Sequence, residues 1–182
     1  PEFWLGMTAS PDRTDGEDIY SLFDHNIAYE IRLQDALNED LLCPFHYYGI
    51  SDLTVNNKPF SELSEFNCLE FKERVKHVLR AAHDYGFSGK RVKGLIFCSR
   101  NDEAKALEIE LNKQGKRTLA LSGKNSQQER DIAIQRLVTD VDDQVALDYI
   151  ITVDIFNEGV DIPEINQVLL LRPTESSIIF IQ

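Results

Sequence analysis

The chain contains few residues of the kinds that hold small proteins together covalently or through metal ions. Its 182 residues include three cysteines, Cys43, Cys68 and Cys98, which form no Cys-x-x-Cys pair and no Cys/His cluster. Three widely spaced cysteines favour reduced, mostly buried thiols over a disulfide framework. The sequence therefore predicts no metal site and a core built from apolar side chains.

Long apolar runs are also missing. No run approaches the ~20 residues that a membrane-spanning helix needs. The N-terminus lacks the basic and then apolar pattern of a signal peptide. We therefore expect no membrane partner and a cytoplasmic location.

Basic residues are scarce. The chain has 19 Lys and Arg against 31 Asp and Glu, which gives a net charge of −12. A protein that binds nucleic acid by itself usually carries a basic balance. The composition therefore predicts weak nucleic-acid binding by this chain alone, although a local surface could still contact phosphates.

A phosphate-binding loop is absent from the sequence. Gly-Lys occurs at residues 89–90, 115–116 and 123–124, but none of these pairs has the earlier glycine and the following Ser or Thr of a Walker A motif. No Asp-Glu-x-His/Asp motif is present to hold magnesium. We expect this chain alone to bind no cofactor and to hydrolyse no ATP.

Apolar runs alternate with amphipathic segments along most of the chain. Such alternation, with short connections, predicts a mostly parallel sheet covered by helices. The runs at 149–153 and 167–171 have the composition of strands buried on both faces. The other predicted strands span 27–31, 45–50, 93–100 and 118–121; the predicted helices span 33–41, 67–86, 101–115 and, after a capping box at Ser126 and Glu129, 126–139.

A polar loop at residues 154–166 separates the last two predicted strands. It carries four acidic residues, a glycine and a proline. In open parallel sheets, loops at the carboxyl ends of strands bind ligands. Gly159 allows a close approach that a Cβ would prevent. The ionised carboxylate of Asp161 can only accept hydrogen bonds, and a ribose hydroxyl is a suitable donor.

The sequence Asn-Glu-Gly-Val-Asp-Ile-Pro at 157–163 resembles motif V of superfamily 2 (DEAD/DEAH-like) helicases, the ATP-driven nucleic-acid translocases. This resemblance implies that Gly159 and Asp161 bind nucleotide. Helicases of the DEAD-box type have a threonine eight residues before this aspartate, where this chain has Val153. We therefore assign the phosphate-contacting hydroxyl to Thr152, which lies one residue before the position at which the family has its threonine.

Other segments resemble further motifs of the same family. Thr-Ala-Ser-Pro at 8–11 resembles motif III, which implies a role in interdomain coupling for Thr8, Ala9 and Ser10. The run at 94–100 resembles motif IV, and Ser122-Gly123 with Glu129-Arg130 resembles the segment after it, which implies nucleic-acid contacts for Ser99 and Gly123. Taken one at a time, the first two segments are more typical of an ordinary turn and a buried strand, and the third is equally compatible with a strand-to-helix turn.

The resemblance implies an α/β fold, namely a RecA-like three-layer domain with a mostly parallel sheet, of the helicase C-terminal type among P-loop NTPases. Residues 1–25 would be the tail of a first RecA-like domain and a linker, and residues 26–182 a second RecA-like domain truncated within motif VI. Residues 41–52 also loosely resemble bacterial helicases of the type III restriction subunit group.

We therefore expect a fragment of an ATP-dependent helicase or translocase that uses ATP and Mg. Its partners would be DNA or RNA and an N-terminal RecA-like domain in the same protein. This chain would provide one wall of the interdomain ATP site and part of the nucleic-acid track. The alternative is a non-motor Rossmann- or flavodoxin-like ligand-binding or interaction domain, which would not explain why motifs III and V occur together.

Overall fold

The computed structural model describes residues 4–8, 11, 18–51, 53–55, 58–59, 68–141, 144–153, 155–156 and 161–172, with the backbone alone at 54–55, 58–59 and 68–70. The chain divides into two compact units, Pro1–Gly49 with Ile181–Gln182, and Ile50–Phe180. The predicted domain boundary after residue 25 stays a prediction.

The described residues of the first unit form little regular structure. A 3-10 helix spans Ile19–Phe23 and α1 spans Leu33–Asn38, close to the predicted helix at 33–41. The predicted strands at 27–31 and 45–50 are wrong, since neither segment pairs with another in the described structure. Among the described residues of this unit only Ala36 is buried. A strand needs a partner and an apolar face to cover, and these segments are exposed.

The second unit begins with a small antiparallel pair, β1 (Thr54–Val55) and β2 (Lys58–Pro59). The predicted alternation of helices and strands follows and is confirmed. Its elements are α2 (Cys68–Tyr85), β3 (Gly94–Phe97), α3 (Asn101–Lys113), β4 (Thr118–Ala120), α4 (Gln127–Val138), β5 (Tyr149–Thr152) and β6 (Gln167–Leu170).

Four strands form one sheet in the order β4-β5-β3-β6, and every neighbouring pair is parallel. Phe97 at the end of β3 pairs with Thr152 on one side and Leu170 on the other. Ala120 at the end of β4 pairs with Ile151. The carboxyl ends of all four strands therefore lie along one edge of the sheet.

The two faces of the sheet bury separate apolar clusters. Ile96 and Ile151 pack against Val75 of α2 and Leu111 of α3 on one face. On the other face, Leu95, Phe97 and Ile150 pack against Ala133 and Leu137 of α4. Alternate residues of a strand point to opposite faces, so β3 and β5 contribute to both clusters. Helices on both faces of a parallel sheet confirm the predicted α/β three-layer fold.

Strand β6 departs from the prediction. It is the edge strand of the described sheet, and its burial alternates along the strand. Leu169 packs against the first cluster, whereas Val168 and Leu170 are 50% and 40% exposed. The prediction that this run is buried on both faces is therefore wrong, because no described element covers the second face of β6.

The predicted start of α4 and the glycines predicted to end α2 and α3 are confirmed. Ser126 and Glu129 form the predicted capping box of α4, in which the Ser126 hydroxyl accepts from the Glu129 N–H and the Glu129 carboxylate accepts from the Ser126 N–H at 2.7 Å. Gly86 and Gly115 follow α2 and α3 with φ of 70° and 81°. The predicted burial of the thiols holds for Cys98, but Cys43 is exposed.

Candidate site at the carboxyl edge of the sheet

Three residues predicted to contact nucleic acid lie at the carboxyl edge of the sheet. The ladder continues one residue past the strands, with the Cys98 N–H donating to the Thr152 carbonyl at 2.8 Å and the Leu121 N–H donating to the Ile151 carbonyl at 2.8 Å. Ser99 follows Cys98 directly, Gly123 lies two residues after Leu121, and Thr152 ends β5. The fold thus brings these residues to the edge where open parallel sheets bind ligands.

The residues predicted to bind nucleotide and to couple the domains are only partly described. Asp161 is exposed, and the turn after it is closed by a hydrogen bond of 3.1 Å from the Ile165 N–H to the Ile162 carbonyl. Gly159, Ala9 and Ser10 lie outside the described residues. Thr8 is exposed in the first unit. The roles assigned to these residues stay predictions.

Ser99 is exposed, and its backbone connects to a buried ion pair. The Ser99 N–H donates to Oε2 of Glu103 at 3.3 Å, and Oε1 of Glu103 accepts from Nη1 of Arg74. The Nη2 of Arg74 donates to the Leu171 carbonyl at 3.0 Å. Arg74 and Glu103 are 3% and 5% exposed. This pair joins α2 and α3 to the two loops that follow β3 and β6.

The sequence reasoning missed Arg74 and Glu103. Each is a charged residue on the apolar stripe of its helix. Arg74 stands beside the buried Val75, and Glu103 precedes the buried Ala104. A charge at an inward position requires a partner, because burying it unpaired is costly. That requirement is the signal by which the pair could have been found.

Arg172 links the end of β6 to the beginning of the motif V loop. Its Nη1 donates to the Val153 carbonyl at 3.3 Å. Its guanidinium carbon lies 6.0 Å from the centroid of the Phe97 ring, which is within the range of a cation–π interaction. Arg172 thereby connects the chain after β6 to the residues that end β3 and follow β5.

The loop after β4 presents an exposed glycine. The Ser122 N–H donates to Oδ1 of Asn125 at 2.9 Å, and the Lys124 N–H donates to the Ser122 hydroxyl at 3.4 Å. Arg130 of α4 donates to the Gly123 carbonyl at 3.4 Å. These bonds hold the loop in its conformation. Because Gly123 has no side chain, a ligand can approach its backbone closely.

Thr152 is fully buried at the end of β5, with 0% of its surface exposed. In the described part of the chain, its hydroxyl has no hydrogen-bond partner. The half-buried Val153 follows it. A direct phosphate contact by Thr152 would require this strand end to open, and its role in nucleic-acid binding stays a prediction.

Cys98 lies beside this edge but offers no nucleophile. Burial raises the pKa of its thiol, and the nearby carboxylate of Glu103 raises it further, against a smaller opposing effect of Arg74. The thiol therefore remains protonated at neutral pH, when it is a weak nucleophile.

The opposite edge of the sheet carries charged residues that hold the fold together. Arg91 donates to the carbonyls of Leu147 at 2.8 Å and Thr139 at 2.9 Å. Lys93 reaches Asp140 at 2.6 Å. These cations are engaged by internal carbonyls and a carboxylate, so the shallow depression that Arg91 helps to line at this edge is a weak candidate for a ligand site.

Within the described ranges, no group of three or more His, Cys, Asp or Glu side chains is placed to hold a metal ion. None of the helices in these ranges has the length and apolar character of a membrane span.

A parallel sheet between two helical layers, with the loops of its strands gathered at the carboxyl edge, is the architecture expected of a RecA-like α/β domain. Residues 73–182 match the model of the helicase conserved C-terminal domain family. The chain belongs to this family. The predicted membership of superfamily 2 helicases, as a second RecA-like domain, is confirmed.

A curated relative is the 51.5 kDa protein of Lactococcus phage (isolate 7-9), which is 25% identical over 186 residues. The match covers 98% of this chain and 38% of the phage protein, so the chain spans well under half of that relative. Among solved structures, the Sulfolobus solfataricus SWI2/SNF2 ATPase C-terminal domain matches with 21% identity and a TM-score of 0.42, over 54% of this chain and 40% of that one.

Proposed function

We propose that this chain is the second RecA-like domain of an ATP-dependent helicase or translocase, in which it provides one wall of the ATP site and part of the nucleic-acid track. The observation that carries this proposal is the convergence of Ser99, Gly123 and the end of β5 on one edge of a parallel sheet. The family match supports the motor class.

The nucleotide side of the proposal rests on the motif V loop. Asp161 is exposed and can accept hydrogen bonds from a ribose. The chain contains no Walker A motif, so the phosphates of ATP and its magnesium would be held by an N-terminal RecA-like domain of the same protein. Thr8, Ala9 and Ser10 would couple that domain to this one.

The nucleic-acid side rests on the exposed loops. Hydroxyls and backbone N–H groups are common contacts to phosphate oxygens. The Ser99 N–H already donates to Glu103, so its exposed hydroxyl is the group we assign to a phosphate. Gly123 lets its loop approach a backbone closely. Because the net charge is −12, we expect this chain alone to bind DNA or RNA weakly.

The test uses the full-length protein that contains this chain, in which ATP turnover is measured without nucleic acid, with single-stranded DNA and with single-stranded RNA. We expect turnover that one of these nucleic acids stimulates. In D161A, loss of a charge-assisted hydrogen bond should lower turnover at subsaturating ATP by about ten- to a hundredfold. The melting temperature should change little, because Asp161 is exposed.

The matched control is D131A, which removes an exposed aspartate from α4. It should leave turnover unchanged. Wild-type turnover in folded D161A would reject the nucleotide role of Asp161. A wild-type protein that hydrolyses no ATP under any of these conditions would reject the motor function and favour a domain that binds without activity.

A further inference from the structure

The ion pair between Arg74 and Glu103 is placed between two parts of the candidate site. Glu103 holds the N–H of Ser99 at 3.3 Å, and Arg74 holds the carbonyl of Leu171 at 3.0 Å. The side chains of Arg74 and Glu103 are only 4% and 7% exposed. Glu103 of α3 thus bonds the loop after β3, Arg74 of α2 bonds the loop after β6, and the two side chains bond each other.

Stability alone gives a poor account of this pair. The chain neighbours of the pair, Val75 and Ala104, and the nearby Cys98 belong to a buried apolar cluster, against which two apolar side chains would also pack. Moving two charges out of water is costly, and replacing a buried ion pair by apolar residues of similar volume is often neutral or stabilising. What an apolar pair could not supply is one fixed hydrogen bond to each loop.

The contacts continue to the motif V loop. Leu171 is followed by Arg172, whose guanidinium donates to the Val153 carbonyl at 3.3 Å. A continuous set of bonds and contacts therefore runs from the exposed loop after β3 to Val153, the residue before the motif V loop. Its members in order are Ser99, Glu103, Arg74, Leu171, Arg172 and Val153.

We propose that Arg74 and Glu103 are positioning residues that couple nucleic-acid contact at Ser99 to ATP turnover at the motif V loop. This proposal rests on the proposed function above. A phosphate bound by the Ser99 hydroxyl fixes the Ser99 backbone, whose N–H holds Glu103. Because Glu103 and Arg74 are fixed on packed helices, the position of one loop then constrains the other through Leu171.

The experiment replaces the pair by two methionines, R74M/E103M, in the full-length protein. This change keeps apolar packing and removes the hydrogen bonds to both loops. ATP turnover is measured alone and with a saturating single-stranded oligonucleotide, in separate DNA and RNA arms. We expect the ratio of stimulated to basal turnover to fall about tenfold relative to that of the wild type.

The matched control is E73M/K76M. It removes an exposed ion pair of 2.7 Å from helix α2, again by replacing one cationic and one acidic residue with methionine. Its stimulation ratio should equal that of the wild type. A folded R74M/E103M protein with a wild-type ratio would overturn the coupling and leave the motor function standing. A wild-type protein without ATP turnover would instead reject the proposed function.

If the double variant does not fold, hydrogen exchange in the unaltered protein tests the coupling between the two loops. Coupling has to be shown as a linked response of the two loops, because contact alone does not establish it. Oligonucleotide binding should slow backbone hydrogen exchange around Ser99 and around Leu171 together. Slower exchange around Ser99 with no change around Leu171 would overturn the proposal.

Discussion

The carboxylate of Asp148 accepts hydrogen bonds from the guanidinium of Arg117 at 2.6 and 3.2 Å, and another from the Arg117 backbone N–H at 2.8 Å. The two residues precede β4 and β5, so this pair fixes the beginnings of neighbouring strands. Burial raises the pKa of Asp148, but the hydrogen bonds and charge of Arg117 outweigh it, and the pKa of Asp148 lies below its usual value.

The first prediction concerns acid stability. A carboxyl whose pKa is lowered by folding stabilises the folded state fully above the unfolded pKa of about 4, and this contribution is lost as the pH falls through the lower folded pKa. D148N should lower the free energy of unfolding at neutral pH by about 2 kcal/mol. Its stability should also depend less on pH below about 4.

Urea unfolding at a series of pH values checks this. D131N changes an exposed aspartate on α4 and is the control. If D148N and the wild type lost stability in parallel as the pH falls, the Arg117–Asp148 pair would not be the source of the acid dependence.

The second prediction concerns Asn166, whose side-chain amide both donates and accepts hydrogen bonds. Its amide nitrogen donates to the carbonyls of Ser88 at 2.6 Å and Arg91 at 2.9 Å, and its oxygen accepts from the Lys93 N–H at 2.8 Å. In N166D the carboxylate cannot donate to these carbonyls. We expect the free energy of unfolding to fall by about 3 kcal/mol.

The control for N166D is N101D, the same chemical change at the exposed first residue of α3. A negative charge at a helix N-terminus is favourable, so stability should stay equal or rise slightly. Equal losses in the two variants, measured by urea unfolding, would show that the bonds of Asn166 are not responsible.

The third prediction concerns the glycine that begins β3. A Cβ at Gly94 would collide with ring carbons of Tyr149 and lie 3.3 Å from the Gln167 carbonyl. The ring is held in place because the Tyr149 hydroxyl donates to Oε1 of Gln167 at 2.6 Å. G94A should therefore lower the free energy of unfolding by about 1–3 kcal/mol.

A double-mutant cycle with Y149L tests the cause. Removing the ring should relieve the collision, so the loss in G94A/Y149L should be smaller than the sum of the two single losses. Additive losses would assign the effect of G94A to the backbone of β3 instead.

The fourth prediction concerns the buried hydroxyl of Thr152. Among the described residues it has no hydrogen-bond partner, so T152V should raise the free energy of unfolding by about 1 kcal/mol. The control is T118V, because the Thr118 hydroxyl donates to Oδ1 of Asn112 at 3.1 Å. That variant should be less stable than the wild type.

The T152V variant also tests the predicted phosphate contact. If Thr152 binds a phosphate in the full-length protein, T152V should weaken oligonucleotide binding although its stability rises. Unchanged oligonucleotide affinity in T152V would remove Thr152 from the nucleic-acid site.

Much of the fold of the second unit could be predicted from the sequence, because the signals are local. Helical and strand periodicity located α2 through β6, and the capping box at Ser126 and Glu129 located the start of α4. The motif V residues at 157–163 indicated the family. The predictions failed where a local apolar run lacked a covering partner, as at 45–50 and on one face of β6.

The amino-acid sequence by itself determined the alternation of elements, the family and the region of the site. Each of these depends on patterns among residues that are close together in the chain. Only the tertiary structure decided the strand order β4-β5-β3-β6, the burial of Thr152 and the pairing of Arg74 with Glu103. Arg74 bonds to a carboxylate 29 residues away and to a carbonyl 97 residues away. Periodicity reports which face of a helix is buried, but the partner of a buried charge is set by the packing of distant elements.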